Sequence, residues 1–428
     1  MVKLSTACSS SPLAAYQQKR LYIESQDGQV YTALTIDNKL SEIYIDPAES
    51  GSMVGQIILG RLDAILPGQF AFVDIGTGKN ALMNTSRDVP LKKGQPILVQ
   101  VYKDPTGNKG AYVGMELRHK GHYVILFESP RHDIGISQKI SDEKERKRLK
   151  AIAMQAVPKG FGVIVRTNAK GIEAEKIISD IKALEALHGY VAAKAKHSIY
   201  PSLIYPEASA VPSQLQPMLL DMLSGDLYEI WISGLDFDSL KQAIVVIEPS
   251  LEGRIFHYCT ENAHNYTENT HTLLDAKNIS PQITAALKKT VQLPCGGFIT
   301  IEQTEACVVI DVNSGRFTGQ QDFRSTALTT NLEAAVCIAW QLALRNLSGI
   351  IIIDFMDMKH EDDKSVLLDA LSTEIRKDRI KTEIIGITEL GLVQLTRRRT
   401  REPLERLLTE DCRHCGGKGK VRKQGHLI

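Results

Sequence analysis

At 428 residues the chain exceeds what one compact core holds, and at roughly 100–200 residues per domain it predicts two to four domains. Hydrophobic residues at 43% and charged residues at 24% exclude wholesale disorder. The balance of 51 Lys and Arg against 50 Asp and Glu, a formal net charge of +1, excludes a uniformly basic coat but leaves room for local patches. No window reaches the roughly 18 unbroken apolar residues of a membrane span, so none is expected. The Ser-rich start, residues 1–15, has apolar runs too short for a secretory signal. Of seven cysteines only the last two form a motif, which predicts a reducing compartment.

In chain order, short strands are expected at 21–23, 30–34 and 43–45, followed by a polar connection at 46–52. From 54 to 117 the pattern is all β, with about five short strands separated by Gly, Pro and Asn, which predicts a small closed barrel of the oligonucleotide-binding kind. Arg61, Phe70, Phe72, Lys79, Tyr102 and Lys109 interleave bases and rings there, a mixture that suits stacked bases and tracked phosphates. The plain alternative is that Phe70 or Phe72 is barrel core. A charged helix is expected at 142–154, a buried strand at 161–165 ending in Arg166-Thr167, and a long helix at about 172–196. Residues 211–248 alternate helix, strand, helix, strand, with strands at 228–232 and 242–247, the texture of an α/β layer.

The strongest local signal is strand–helix–strand. Residues 306–310 form a near-continuous apolar run, expected to be buried on both faces, that ends in Asp311-Val312-Asn313-Ser314-Gly315-Arg316. A helix at about 326–346 leads to a second run, 350–353, ending in Asp354-Phe355-Met356-Asp357. A crossover between parallel strands puts both C-terminal ends on one edge, where open α/β sheets bind ligands. Asp311 and Asp354, with Asn313 and Asp357 nearby, then form an all-oxygen set that suits Mg²⁺ and not zinc. Either Asp alone could equally be a helix cap or a solvated turn residue.

Cys412-Arg413-His414-Cys415-Gly416-Gly417 reads as a zinc-knuckle half-site, whose glycines let backbone amides turn toward the thiolates. Two thiolates supply half of a tetrahedral shell, so the rest must come from another copy of the chain, or from His414 or His426. A redox CxxC is the competing reading, but that motif belongs at a helix start after a strand. From 391 to 428 ten bases face four acids, which favours a polyanionic partner unless these are solvated charges.

With these residues in view the chain resembles the ribonuclease E/G family of bacterial endoribonucleases, from about residue 19 to 420. The motifs that carry the resemblance are Phe72-Val73-Asp74-Ile75-Gly76, Gly107-Asn108-Lys109-Gly110-Ala111, Gly162-Val163-Ile164-Val165-Arg166-Thr167, Gln303-Thr304-Glu305-Ala306 through Gly315, Ile353-Asp354-Phe355-Met356-Asp357-Met358, and the Cys412/Cys415 pair. The resemblance implies a multidomain α/β and β protein. A split ribonuclease H-like domain (1–50 with an N-terminal extension, and 212–286) is interrupted by an S1 barrel (51–117) and a sensor of the RNA 5′ monophosphate (118–211). A deoxyribonuclease I-like catalytic domain (287–405) follows, then a zinc link and basic tail (406–428).

Carried over by motif, Asp311 and Asp354 hold catalytic Mg²⁺ with Asn313 beside them, and Cys412 and Cys415 hold a structural Zn²⁺ shared between two chains. Arg166, Thr167 and Lys381 bind the 5′ phosphate, and Phe72 and Lys109 contact RNA on the S1 barrel. The implied activity is Mg-dependent hydrolysis of single-stranded RNA, stimulated by a 5′ monophosphate and leaving 5′-phosphate products, in rRNA processing and mRNA decay. The implied setting is a zinc-linked homodimer in a bacterial-type cytoplasm or an organelle. Three departures stand out: Lys381 where the family has arginine, which loses the bidentate fork; Leu82 in place of a second S1 aromatic; and Arg413 where the knuckle usually has proline. With 13 residues after Cys415, the short ribonuclease G type without the small C-terminal domain is expected, and with it a dimer but no tetramer. The reading from another class is a non-catalytic S1-type RNA-binding or ribosome-assembly factor, for which paired metal ligands have no use. A DNA nuclease is a third.

Overall fold

A computed structural model describes residues 17–47, 53–66, 69–85, 90–105, 109–206, 215–259, 272–315, 323–417 and 419. The N-terminal extension, Gly107 and Asn108, Arg316, and Lys418, Lys420, Arg422, Lys423 and His426 of the tail lie outside these residues. The chain divides into two compact units, one comprising 1–24, 31–45 and 258–428, the other 25–30 and 46–257.

Strands β1 (Lys19–Gln26), β2 (Gln29–Ile36) and β3 (Lys39–Pro47) follow one another as sheet neighbours. Their two-residue turns, Asp27-Gly28 and Asp37-Asn38, take the positive φ that a tight hairpin demands and these residue types tolerate.

In the unit built on 46–257, β4 (Ile57–Leu66), β5 (Phe70–Asp74), β6 (Ala81–Asn84), β7 (Pro96–Lys103) and β8 (Tyr112–Gly114) run in the order β4-β5-β6-β8-β7. The pairing of β7 back onto β4 closes them into a five-stranded barrel. Alternation does the sorting: Leu62, Ala71, Val73, Ala81, Met83, Val99, Val101 and Val113 fill the interior, while Phe70 and Phe72 take the other face of β5. Gly110 is required by closeness, since a Cβ there would stand 2.0 Å from the Asn80 carbonyl oxygen.

A second sheet pairs β9 (Arg118–Lys120), β10 (Val124–Glu128), β11 (Ile134–Ile136) and β12 (Phe161–Val165) in the order β11-β12-β10-β9. Helices α1 (Glu143–Ala156), capped by Asp142, and α2 (Ala174–His197) cover it with Leu149, Ala153, Ile177 and Ile181. Strand β13 (Ser202–Tyr205) adds to β4. Next come α3 (Leu215–Met222), β14 (Leu227–Ser233), α4 (Phe237–Ile247) and β15 (Ile255–His257). The strand expected at 242–247 is instead the second half of α4. Its β-branched run favours a strand, but β14 and β15 pair in parallel and need a crossover between them. Asp236 caps the helix, and Leu240 and Ile244, four apart, are buried on one face.

In the other unit, short helices α5 (Leu273–Ala276) and α6 (Ser280–Ala286) precede a six-stranded sheet. Its members are β16 (Thr290–Gln292), β17 (Phe298–Gln303), β18 (Cys307–Asn313), β19 (Gly349–Asp354), β20 (Thr382–Ile387) and β21 (Val393–Arg397), in the order β16-β17-β18-β19-β21-β20. Helix α7 (Phe323–Leu344) connects the parallel pair β18–β19, and α8 (Glu361–Ile375) follows β19. By length and composition α7 would pass for a membrane span, which the composition reading did not anticipate. Its Ala334, Ala335, Ile338, Ala339 and Leu342 nevertheless belong to the core, with Ile310, Val312, Ile351, Ile353, Leu367 and Leu371.

The expectation that β18 and β19 are buried on both faces does not hold. Val308, Ile310, Ile351 and Ile353 face that core, whereas Val309 is 36% and Ile350 54% exposed. Among the described residues helices cover one side of these strands, and the other side is open.

Arg397, counted by sequence among the tail charges, is also corrected, since its side chain is 1% exposed. Its Nε donates to Asp378 Oδ2 at 2.7 Å, and Nη1 donates to Asn346 Oδ1 and the Leu347 carbonyl. Arg397→Met is expected to cost about 3–5 kcal/mol, because it breaks a buried ion pair together with the hydrogen bonds to Asn346 and Leu347. The midpoint of urea unfolding checks this. The last helix among the described residues, α9 (Leu404–Leu408), is tied back by Leu404 N–H donating to the Arg345 carbonyl.

Candidate functional site

The register of the sheet brings the two predicted aspartates together. Strands β18 and β19 pair in parallel from Cys307↔Ile350 to Asp311↔Asp354, so the acids close the row side by side. Both are exposed, and alternation puts them with Val309 and Ile350 on the open face. Neighbouring strands lie about 4.8 Å apart, close enough for two carboxylates to share one cation. Asn313, two residues along β18 on the same face, donates from Nδ2 to Asp311 Oδ2 at 2.6 Å. Asp357, three residues after β19, is exposed.

Two local devices hold this edge. A Cβ on Gly297 would stand 2.7 Å from the Asn313 carbonyl oxygen, and one on Gly315 (φ +57°) 2.7 Å from the Gly296 oxygen, so the β16–β17 turn can press against the end of β18 only with glycine at both places. Asn331, fully buried in α7, donates from Nδ2 to the Met356 carbonyl at 2.8 Å and accepts from Met356 N–H at 3.0 Å. That clamp sets the path of the chain just after Asp354. The sequence reading passed over Asn331. Its signal was an amide set among the apolar positions of a core helix, where a polar group needs a partner.

Among the described residues no three His, Cys, Asp or Glu side chains converge as a metal group. Two carboxylates with open surroundings suit Mg²⁺, which keeps several waters and takes its other ligands from substrate phosphates. At the knuckle, Gly416, Gly417 and Gly419 take positive φ, and Gly419 N–H points at Cys415 Sγ at 3.2 Å. The backbone N–H groups of Cys415 and His414 hold the Cys412 thiol below its usual pKa. Two sulfurs bathed in amide donors fit half of a zinc shell.

Arg166 directly follows β12 with its guanidinium already committed. Nη1 donates to the carbonyls of Gly121 (2.5 Å), His122 (3.1 Å) and Leu220 (3.1 Å), and Nη2 to Asp221 Oδ1. Thr167 is exposed, and its Oγ1 lies 3.0 Å from Ser137 Oγ, which brings in a hydroxyl the sequence reading missed. Lys381 belongs to the other unit, where it is exposed and pairs with Glu383 at 2.6 Å.

On the barrel, Phe72 pairs with Leu82 across β5–β6, and Leu82 with Tyr112 across β6–β8. The half-buried outer row Phe72–Leu82–Tyr112 is therefore flanked by rings at both ends, and Phe72 is not core. Lys103 Nζ stands 5.8 Å from the Tyr112 ring centre, and Lys109 is exposed just before β8. Tyr112 went unnoticed because sequence shows neighbours along a strand and not across a parallel pair.

A family model described as the Ribonuclease E/G family matches residues 119–400. The chain is 35% identical over 406 residues to ribonuclease G of Salmonella typhimurium, covering 90% of this chain and 80% of that protein. Ribonuclease G of Escherichia coli K12 is similar at 34% with the same coverage. Ribonuclease E of Synechocystis is 36% identical over 384 residues, covering 86% of this chain and 55% of that one.

Proposed function

The chain belongs to the ribonuclease E/G family of endoribonucleases, and from that premise we propose that it cuts single-stranded RNA by metal-assisted hydrolysis at Asp311 and Asp354. The observation that carries this reading is the register row that sets the two carboxylates side by side on an open sheet face. Asp311 and Asp354 would hold Mg²⁺, which would supply Lewis-acid charge near the scissile phosphate and a more acidic water as nucleophile. Asn313 orients the Asp311 carboxylate through its 2.6 Å bond, and Asn331 holds the chain beyond Asp354. The barrel row Phe72–Leu82–Tyr112 offers stacking surface, with Lys103 and Lys109 for the backbone phosphates.

In this reading Arg166 and Thr167 sense a 5′ monophosphate, and Cys412 and Cys415 of two chains share a zinc. The substrates are rRNA precursors and mRNA, and the architecture is the ribonuclease H-like, S1, 5′-sensor and deoxyribonuclease I-like arrangement of the family.

The test uses one short RNA as its 5′-monophosphate, its 5′-hydroxyl twin and its all-deoxy twin, with and without magnesium. Magnesium-dependent cleavage of the RNA alone, faster for the 5′-monophosphate, is expected. RNA binding without cleavage would make the protein a binding factor instead. Arg166→Ala is expected to shrink the 5′-monophosphate advantage by about tenfold, the worth of a charge-assisted contact.

A further inference from the structure

Resting on the reading that a 5′ phosphate binds at Arg166, we propose that Asp221 is a specificity-determining residue: its carboxylate holds the seat between Arg166 and Lys120 that the phosphate must take. The arrangement is built from three separate pieces of chain. Arg166 comes from just after β12 and Lys120 from the end of β9, while Asp221 comes from the last turn of α3. One carboxylate bridges both cations, Oδ1 accepting from Arg166 Nη2 and Oδ2 from Lys120 Nζ at 2.6 Å.

An acid in the last turn of a helix opposes the helix dipole, whereas the two cations that Asp221 bridges come from other pieces of chain. The Asp221 side chain is 37% and that of Lys120 32% exposed, against 13% for Arg166. The guanidinium is thus anchored from behind by three carbonyls and stays in place when the carboxylate leaves.

Charge then decides what can displace Asp221. A 5′ hydroxyl brings no anion. An internal phosphodiester brings one negative charge, no more than the carboxylate it would replace. A terminal phosphate monoester carries about 1.5 to 2 negative charges at pH 7 and three acceptor oxygens, so it alone gains by the exchange. The resident carboxylate turns a general anion site into one that selects chain ends.

The experiment measures cleavage of one RNA in 5′-monophosphate and 5′-hydroxyl forms by the full-length protein and by Asp221→Asn, Asp221→Ser, Lys120→Ala and Arg166→Ala, each with its melting temperature. Freed of an internal competitor, both Asp221 variants should raise the monophosphate-to-hydroxyl ratio by about three- to tenfold, and Lys120→Ala should lower it. An unchanged or lowered ratio in both Asp221 variants, while Arg166→Ala still lowers it, overturns the proposal and leaves Asp221 a structural brace. Collapse of melting in both Asp221 variants overturns it likewise. If Arg166→Ala leaves the wild-type ratio untouched, the 5′-end reading itself fails, a distinct result that takes the proposal with it.

Discussion

Asp311→Asn and Asp354→Asn are each expected to abolish cleavage, lowering single-turnover rates by more than about a hundredfold in magnesium. RNA affinity, read by fluorescence anisotropy on the same samples, should stay within about twofold, because binding rests on basic contacts to phosphates. The two residues form one register row, so losing either carboxylate would remove half of the charge proposed to hold the cation. Both are exposed and lie off the packed face, so the variants should melt as the wild type does. A variant with near-wild-type turnover would remove the site assignment.

The other large effect concerns assembly. Structural zinc contributes roughly 10–16 kcal/mol of apparent binding energy in small peptides, and two thiolates per chain cannot close its shell. In the proposed link, a second chain with the same Cys412 and Cys415 would complete four sulfurs on a two-fold axis. About half a zinc per chain is therefore expected, in a dimer that falls to monomer in strong chelator or in Cys412→Ser/Cys415→Ser. Light scattering and metal analysis on one sample read both quantities. A full zinc on a monomer would point to His414 or His426 and overturn the shared link.

Local patterns alone carried much of this protein. The apolar runs that end in Asp311 and Asp354, with a helix between them, were enough to predict a parallel pair and adjacent acids. Both the strand period and the need for a crossover are short-range properties. The barrel was legible for the same reason, since its strands alternate and its turns are marked by Gly, Pro and Asn. Other features depended on which segments meet. The run at 242–247 reads as a strand by propensity, and its helical fate came from the parallel pairing of β14 with β15. Arg397 reads as one more tail charge until Asp378 and Asn346 close around it. Hydropathy could not tell a strand covered on both faces from one covered on a single side, so the open face bearing the acids was missed. Asn331, Tyr112 and Asp221 stand 25, 30 and 55 residues from Met356, Leu82 and Arg166. A contact across such separations leaves no periodic trace in one sequence, because it is set by how the elements pack and not by any property of the residues between.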